Sequence, residues 1–409
     1  MKIAMLSCRA LSIGIAALLA ACGGSQPPMA EPGVQARVIE SVRQEVAALA
    51  ARDRERPLAV TRKIDGDPEP SYLDEVVKVR EFKLSGKQVA TDSIIVGPDR
   101  NLWFTEFRAI ARLTVNGQIR VTNLKSGQSY PGLLTIGPDR NIWANTAERP
   151  PPNYSYPTAP LLLTAYMIYR VTPDGRFTAF PLPLNTNNFP TGLLNIGSTL
   201  YFGLPILAIV HGNEESRNFL ATISTTDGIL QKLAWIHKSS STGDGYVMAL
   251  LTPGPKIWFY DFEGGLHVCS TAGHCFYRLS GYPYKSVGNL YGTPTAYSPK
   301  DQSVYIENQN TYTIERYTLG GKKIRGFKNI AFANGFGTVT YYRGDIWVTL
   351  GGDDKARPNL GRLTPSGDFS EISLPFVGPT AAVTALVDGP DGHLWYLRGY
   401  NVGEILSKI

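Results

Sequence analysis

Histidine, cysteine and methionine are scarce in this chain of 409 residues, at 5, 4 and 5 copies, and charged residues make up only 18%. No glycine-rich phosphate loop, no G-x-S-x-G elbow and no H-E-x-x-H helix occurs, which removes the commonest signatures of nucleotide, serine-hydrolase and zinc-protease chemistry. The N-terminal apolar run, Ala10 to Ala21, is too short for a membrane span, which needs about 20 residues. Basic residues are scattered rather than gathered in a stripe, so nucleic acid is not expected as a partner. What is abundant is turn and strand material. The 41 Gly and 29 Pro are spread along the chain, 11% of residues are aromatic and 43% are hydrophobic. That composition excludes wholesale disorder and suits many short strands joined by tight turns.

The first 21 residues read as a targeting segment. Lys2 and Arg9 flank the start of the apolar run, as in a secretory signal peptide. The run ends in Leu19-Ala20-Ala21-Cys22, which resembles the lipobox of bacterial lipoproteins, where cysteine takes a diacylglycerol and becomes the new N-terminus. Gly23, in place of Asp, follows Cys22; by the same resemblance this favours the outer membrane. The expected mature chain keeps 38 basic and 34 acidic residues, a mild +4. Residues 22–77 read as a lipidated tether, small and Pro-containing over Gly23 to Gly33. A helix is predicted over about 34–56, where Val38, Ile39, Val42, Val46 and Leu49 recur at helical spacing.

Cys8 leaves with the signal, so one pair remains, Cys269 and Cys275. A three-residue hairpin loop, Thr271-Ala272-Gly273, puts them directly opposite each other. In an oxidising compartment a cross-strand disulfide is expected. Free thiols are the alternative; a zinc site with His267 and His274 is disfavoured, because His274 points to the other face from Cys275.

From about residue 78 the chain repeats. The clearest copy contains Gly97-Pro98-Asp99-Arg100-Asn101-Leu102-Trp103-Phe104-Thr105-Glu106, then Ile110-Ala111-Arg112-Leu113-Thr114 and Gly117-Gln118-Ile119; a second contains Gly137-Pro138-Asp139-Arg140-Asn141-Ile142-Trp143. Seven aromatic anchors, Trp103, Trp143, Tyr201, Trp258, Tyr305, Trp347 and Trp395, are 40, 58, 57, 47, 42 and 48 residues apart, the period of four-stranded propeller blades. Proline presets one turn dihedral and aspartate caps locally, and Asn101 and Asn141 are expected to absorb any left-handed conformation. The last unit lacks an outer strand, and Val79 to Leu84 looks like the missing one. The fold class expected is therefore all-β: a seven-bladed β-propeller over 78–409, closed by an N-terminal outer strand and preceded by a short helical segment.

The phrases G-P-D-x-N-L-W-F-T-E and I-x-R-L/V-T resemble the repeats of the virginiamycin B lyase family, the streptogramin lyases, over most of 78–409. The resemblance implies a propeller that binds Mg²⁺ and opens a cyclic depsipeptide at its ester by elimination, with a histidine base and acidic metal ligands. The chain departs from that pattern. Its histidines are 211, 237, 267, 274 and 393, with His237 placed after an outer strand, and none falls on a predicted innermost strand: about 90–96, 131–137, 191–196, 247–252, 294–298, 336–341 and 382–388. A proton-abstracting group must come within about 3 Å of its substrate or act through one water. No catalytic residue or metal ligand is therefore assigned, and no cofactor is expected unless the lyase reading, with its Mg²⁺, holds. Glu106 reads as a repeat-consensus residue. Asp92 and Asp244, at the mouths of inner strands, and Tyr130, directly before one, are candidate ligand contacts. So are Tyr154 and Tyr156 in an insertion over 149–160, one of two; the other, 204–219, interrupts the third unit. The function expected is a membrane-anchored envelope lipoprotein whose propeller is a non-catalytic binding module for a protein, glycan or small ligand. Its alternative is a Mg²⁺-dependent lyase or a related hydrolase.

Overall fold

The structure is a computed structural model and describes residues 75–406 apart from 77, 85–89, 107, 125–128, 149–166, 182–190, 211–212, 227–228, 239–246, 252–255, 262–264, 271–274, 280–294, 309–312, 328–337, 351–359 and 376–381. The expected signal segment, Cys22, the tether and its helix over 34–56 lie outside the described residues, as do Tyr154, Tyr156, Asp244, His211 and His274. Among the described residues every element is a strand, and no helix is long and apolar enough to cross a membrane.

The strands are β1 (Glu75–Val76), β2 (Val79–Lys83), β3 (Ala90–Val96), β4 (Leu102–Glu106), β5 (Ala109–Leu113), β6 (Ile119–Asn123), β7 (Ser129–Ile136), β8 (Ile142–Glu148), β9 (Met167–Val171) and β10 (Phe177–Pro181). They continue as β11 (Thr191–Ile196), β12 (Thr199–Val210), β13 (Asn213–Ile223), β14 (Leu230–Lys238), β15 (Val247–Leu251), β16 (Lys256–Asp261), β17 (Gly265–Ser270), β18 (Cys275–Leu279), β19 (Thr295–Ser298) and β20 (Ser303–Asn308). The last are β21 (Thr313–Thr318), β22 (Lys323–Phe327), β23 (Val339–Tyr342), β24 (Asp345–Thr349), β25 (Leu360–Leu363), β26 (Phe369–Ser373), β27 (Val383–Asp388), β28 (Leu394–Arg398) and β29 (Asn401–Ile405).

Six sets of consecutive strands, from β3–β6 to β23–β26, form antiparallel sheets, and a seventh sheet runs β27-β28-β29-β2; β1 adds parallel to β26. The first strands of the sheets, β3, β7, β11, β15, β19, β23 and β27, each lie against the next, and β27 lies against β3. The sheets therefore stand around a common axis, as the blades of an all-β propeller do. The two ends of the chain meet in the seventh sheet, where β2 pairs with β29 from Val79–Ile405 to Lys83–Asn401. This is the pairing expected for the N-terminal strand, and it covers the edge that β29 would otherwise expose.

The repeat residues build the walls between sheets. Trp103, Trp143, Trp258, Trp347 and Trp395 are almost wholly buried. Outer-strand rings cover two of them: Phe180 stacks on Trp143 at 5.3 Å and Phe82 on Trp395 at 5.8 Å. Glycine opens the turn because a β-carbon at Gly97 would lie 2.2 Å from the Trp103 ring. Asp99 Oδ1 accepts from Trp103 Nε1 at 2.9 Å and from the Asn101 backbone N–H at 3.2 Å, and Asp139 repeats both contacts with Trp143 and Asn141. The left-handed residues of these turns are Arg100 and Arg140, each at φ 58°, where the last sheet has Gly392 at φ 76°. This corrects the expectation for Asn101 and Asn141, which serve the aspartate rather than the dihedral.

The 204–219 insertion takes the form of a lengthened hairpin, in which β12 and β13 stay paired from Leu204–Phe219 out to Val210–Asn213. One further expectation changes. His237 lies within the outermost strand β14, opposite Asn218, rather than after it. Cys269 and Cys275 are register partners on β17 and β18, as the hairpin loop predicts.

Candidate functional site at the end where the inner strands begin

The two ends of the ring are built differently. At one end sit the tight turns that join first to second strands, and their aspartates are consumed by structure. Asp99 meets Arg112 at 2.5 Å, Asp301 meets Arg316 at 3.1 Å and Asp345 meets Arg362 at 2.8 Å. Burial pushes the Asp99 carboxyl up, but hydrogen bonds from Trp103 and Asn101 and the charge of Arg112 outweigh it and hold Asp99 below the ordinary aspartate range.

At the other end the first strands begin and the second strands finish. Here the register breaks in five of the seven first strands: between Ala90 and Ile94, Pro131 and Leu134, Thr191 and Leu193, Met248 and Leu251, and Val383 and Ala385. Such bulges free backbone groups and re-aim side chains. Threonines two residues past the repeat aromatic satisfy some of those groups. Thr105 Oγ1 accepts from the Ser93 backbone N–H at 3.2 Å and Thr349 Oγ1 from Thr338 at 2.9 Å. Neighbouring sheets are tied at the same level, with Leu134 N–H donating to Ser93 Oγ at 3.0 Å and Thr338 Oγ1 donating to the Thr384 carbonyl at 2.9 Å.

Glu106 stands among these groups without a hydrogen-bond partner at Oε2. It is 1% exposed, and its register partners are Ala90 and Ala109. Burial alone pushes its carboxyl up to about 7, so near neutral pH it is balanced between a neutral acid and a buried anion. From its place in the repeat phrase alone, Glu106 reads as a consensus residue. The residues three past the aromatic in the other sheets are Thr146, Leu204, Asp261, Asn308, Leu350 and Arg398; a comparison across the repeat therefore shows that an acid there is not consensus, Asp261 alone sharing it.

Two of the sequence candidates fall at this same end. Asp92 lies in the bulged part of β3, two residues from the Ala90 that pairs with Glu106. Tyr130 opens the adjacent inner strand β7, opposite Ala147. Asp244 precedes β15, and Tyr154 and Tyr156 belong to the connection leaving β8 at Glu148 and entering β9 at Met167. That connection and the lengthened β12–β13 hairpin both follow second strands, so both leave from the Glu106 end. The Mg²⁺ implied by the resemblance needs several hard oxygen donors. Among the described side chains at this end, two buried carboxyls stand near the finish of second strands: Glu106, which burial pushes up to about 7, and Glu307. These two described carboxyls alone are fewer than the donors that magnesium takes, and no reaction step is drawn through the ion.

A virginiamycin B lyase from Staphylococcus aureus, in a catalytically inactive form with quinupristin, superposes with a TM-score of 0.60 at 20% identity, over 81% of this chain and 99% of that one. A streptogramin B lyase structure gives 0.59 at 18% identity, over 80% and 96%. The fold is that of the streptogramin lyases. The lyase-like propeller also resembles the WD40 propeller domain of Doa1, with a TM-score of 0.51 at 12% identity over 81% and 98% of the two chains. Identities this low speak for the fold alone. No protein-family model and no curated protein matches the sequence.

Proposed function

We propose that the chain is an exported lipoprotein, anchored through Cys22 in the outer membrane, whose seven-bladed propeller binds an envelope protein, glycan or small ligand at the Glu106 end without transforming it. One observation carries this reading: both long insertions and the candidates Asp92, Tyr130 and Glu106 belong to the same end of the ring. A rigid ring with its variable segments on one end is how scaffolds usually present binding residues. The histidine distribution supports a non-catalytic role. Among the described residues, His237 is on β14 and His267 on β17, neither an innermost strand, and His393 belongs to a turn at the opposite end, where its backbone N–H donates to Asp391. The reading includes a Cys269–Cys275 disulfide, supported by their register, and intact mass before and after reduction tests it.

The lyase reading has its own support in the shared fold and in a buried acid at the binding end. The test that separates the two is incubation of the protein with a streptogramin B and Mg²⁺, followed by mass spectrometry. Elimination opens the ring with no change of mass and hydrolysis adds a water, so chromatography is needed beside the mass. An intact cyclic substrate supports the binding module, and an opened ring overturns it. Replacing Cys22 with serine should move the protein from the membrane fraction to the soluble fraction and abolish incorporation of labelled fatty acid. Retention of the label would sink the anchor.

A further inference from the structure

The seventh sheet departs from the repeat at two positions that face each other. In four other sheets the residue opposite the repeat aromatic on the third strand is arginine: Arg112 opposite Trp103, Arg170 opposite Trp143, Arg316 opposite Tyr305 and Arg362 opposite Trp347. Those arginines neutralise the turn aspartates. Opposite Trp395 the residue is Glu404, and His393 stands where Asn101 and Asn141 stand in their turns. An aspartate–arginine pair has thus become two carboxylates flanking an imidazole. His393 Nδ1 lies 3.4 Å from Asp391 Oδ2 and 3.3 Å from Glu404 Oε2.

We propose that Asp391, His393 and Glu404 bind a divalent late first-row metal ion, zinc in the first instance. The donor set, one imidazole nitrogen and two carboxylate oxygens, suits such an ion. All three donor atoms lie within 4.8 Å of one another. The 3.3 and 3.4 Å separations match the edge of a tetrahedron whose corners are about 2.1 Å from its centre, and are long for an N–H···O bond. The outer contacts also fit. Asp391 Oδ1 accepts from Trp395 Nε1 at 2.9 Å and from the His393 backbone N–H at 3.1 Å. They hold the carboxylate and leave Oδ2 for the ion, as outer partners of metal ligands do. Glu404 is fully buried and aimed at the imidazole; its Oε1 carries no hydrogen bond and meets the Arg80 guanidinium of β2 in an ion pair. Two guanidiniums, Arg80 and Arg343, stand against three carboxylates, Asp388, Asp391 and Glu404, which leaves a negative charge that a dication answers. His393 and Asp391 keep 36% and 21% side-chain exposure, so solvent can complete the coordination. The ion would bind the turn after β27 to β29, the strand that receives the N-terminal β2, and so would brace the closure of the ring.

The test is titration of the metal-free full-length protein with Zn²⁺ by calorimetry, with Co²⁺ absorption as a spectroscopic check of coordination and thermal melting as a third readout. His393→Asn restores the residue found at 101 and 141, so it is expected to fold. Wild type should take one zinc per chain, melt higher with zinc and show visible Co²⁺ bands. His393→Asn should weaken binding by roughly tenfold or more and lose both the bands and the zinc-dependent rise in melting. No zinc binding by wild type at about millimolar free metal overturns the site. So does undiminished binding by His393→Asn, which would move the metal elsewhere, for instance to the Cys269–Cys275 hairpin.

Discussion

Glu106 shows how one residue can be read wrongly from its motif. It closes the repeat phrase W-F-T-E, but its Oε2 carries no hydrogen bond, and burial alone raises its carboxyl to about 7. The raised value means that the folded protein binds the proton more tightly than the unfolded chain. Stability contributed by the neutral form is present below the ordinary glutamate range and is lost as pH rises through about 7. Glu106→Gln should therefore stabilise the protein at pH 8 by about 2 kcal/mol or more, and change little at pH 4. Urea denaturation at the two pH values checks this, and equal effects at both would show that charge is not the cause. Arg100 offers a second stabilising substitution, through the backbone. Its φ of 58° is a strain that glycine does not carry, so Arg100→Gly should raise stability by about 1 kcal/mol, read as a shift in the denaturation midpoint. By contrast, Asp99→Ala leaves the Trp103 indole N–H without its acceptor and Arg112 without its carboxylate, and should cost about 1–3 kcal/mol.

At the scale of elements, β2 and β29 decide whether the ring holds. Glu81 on β2 reaches across Gly403, whose missing β-carbon makes room for the Tyr396 ring. It accepts from Tyr396 at 2.8 Å and Asn401 at 3.1 Å, and pairs with Arg398 at 3.5 Å. Arg398 is 1% exposed. Glu81→Ala would leave that guanidinium buried with only carbonyl contacts such as the one to Pro375, at a cost of about 3–5 kcal/mol. Thermal melts should show the loss, and limited proteolysis should cut first within 75–84. A variant with unchanged melting would mean that backbone pairing alone closes the sheet. The insertions belong to this scale too. Shortening 149–160 should leave the melting temperature unchanged while abolishing capture of the ligand or partner. Parallel loss of both would place the segment in the fold.

For the whole molecule, the repeat made strands, inner-strand positions and the partner of the N-terminal strand readable in advance, because each follows from a local rule. Alternation and turn residues mark the strands, the aromatic marks the second strand of each unit, and an unfilled edge must find a partner. The left-handed turn position is marked in the sequence only by Gly392 of the last unit, because Arg100 and Arg140 themselves give no local sign that their neighbours compel a positive φ. The lengthened β12–β13 hairpin was hidden as well, since β-rich insertions and loops of similar composition differ only in whether their two halves pair.

By itself the sequence determined the class of fold, the position of the repeat aromatics and the register of Cys269 with Cys275, since all of these follow from contacts close along the chain or from a fixed period. Tertiary structure alone decided the rest. It put Asp92, Tyr130 and Glu106 at one end of the ring, left Glu106 Oε2 buried without a hydrogen bond, and set Glu404 against His393. The physical reason is that a carboxyl's solvation and the charges facing it are set by strands from distant parts of the chain. Arg80 and Glu404, which face each other across the closing sheet, lie nearly the whole domain apart in sequence.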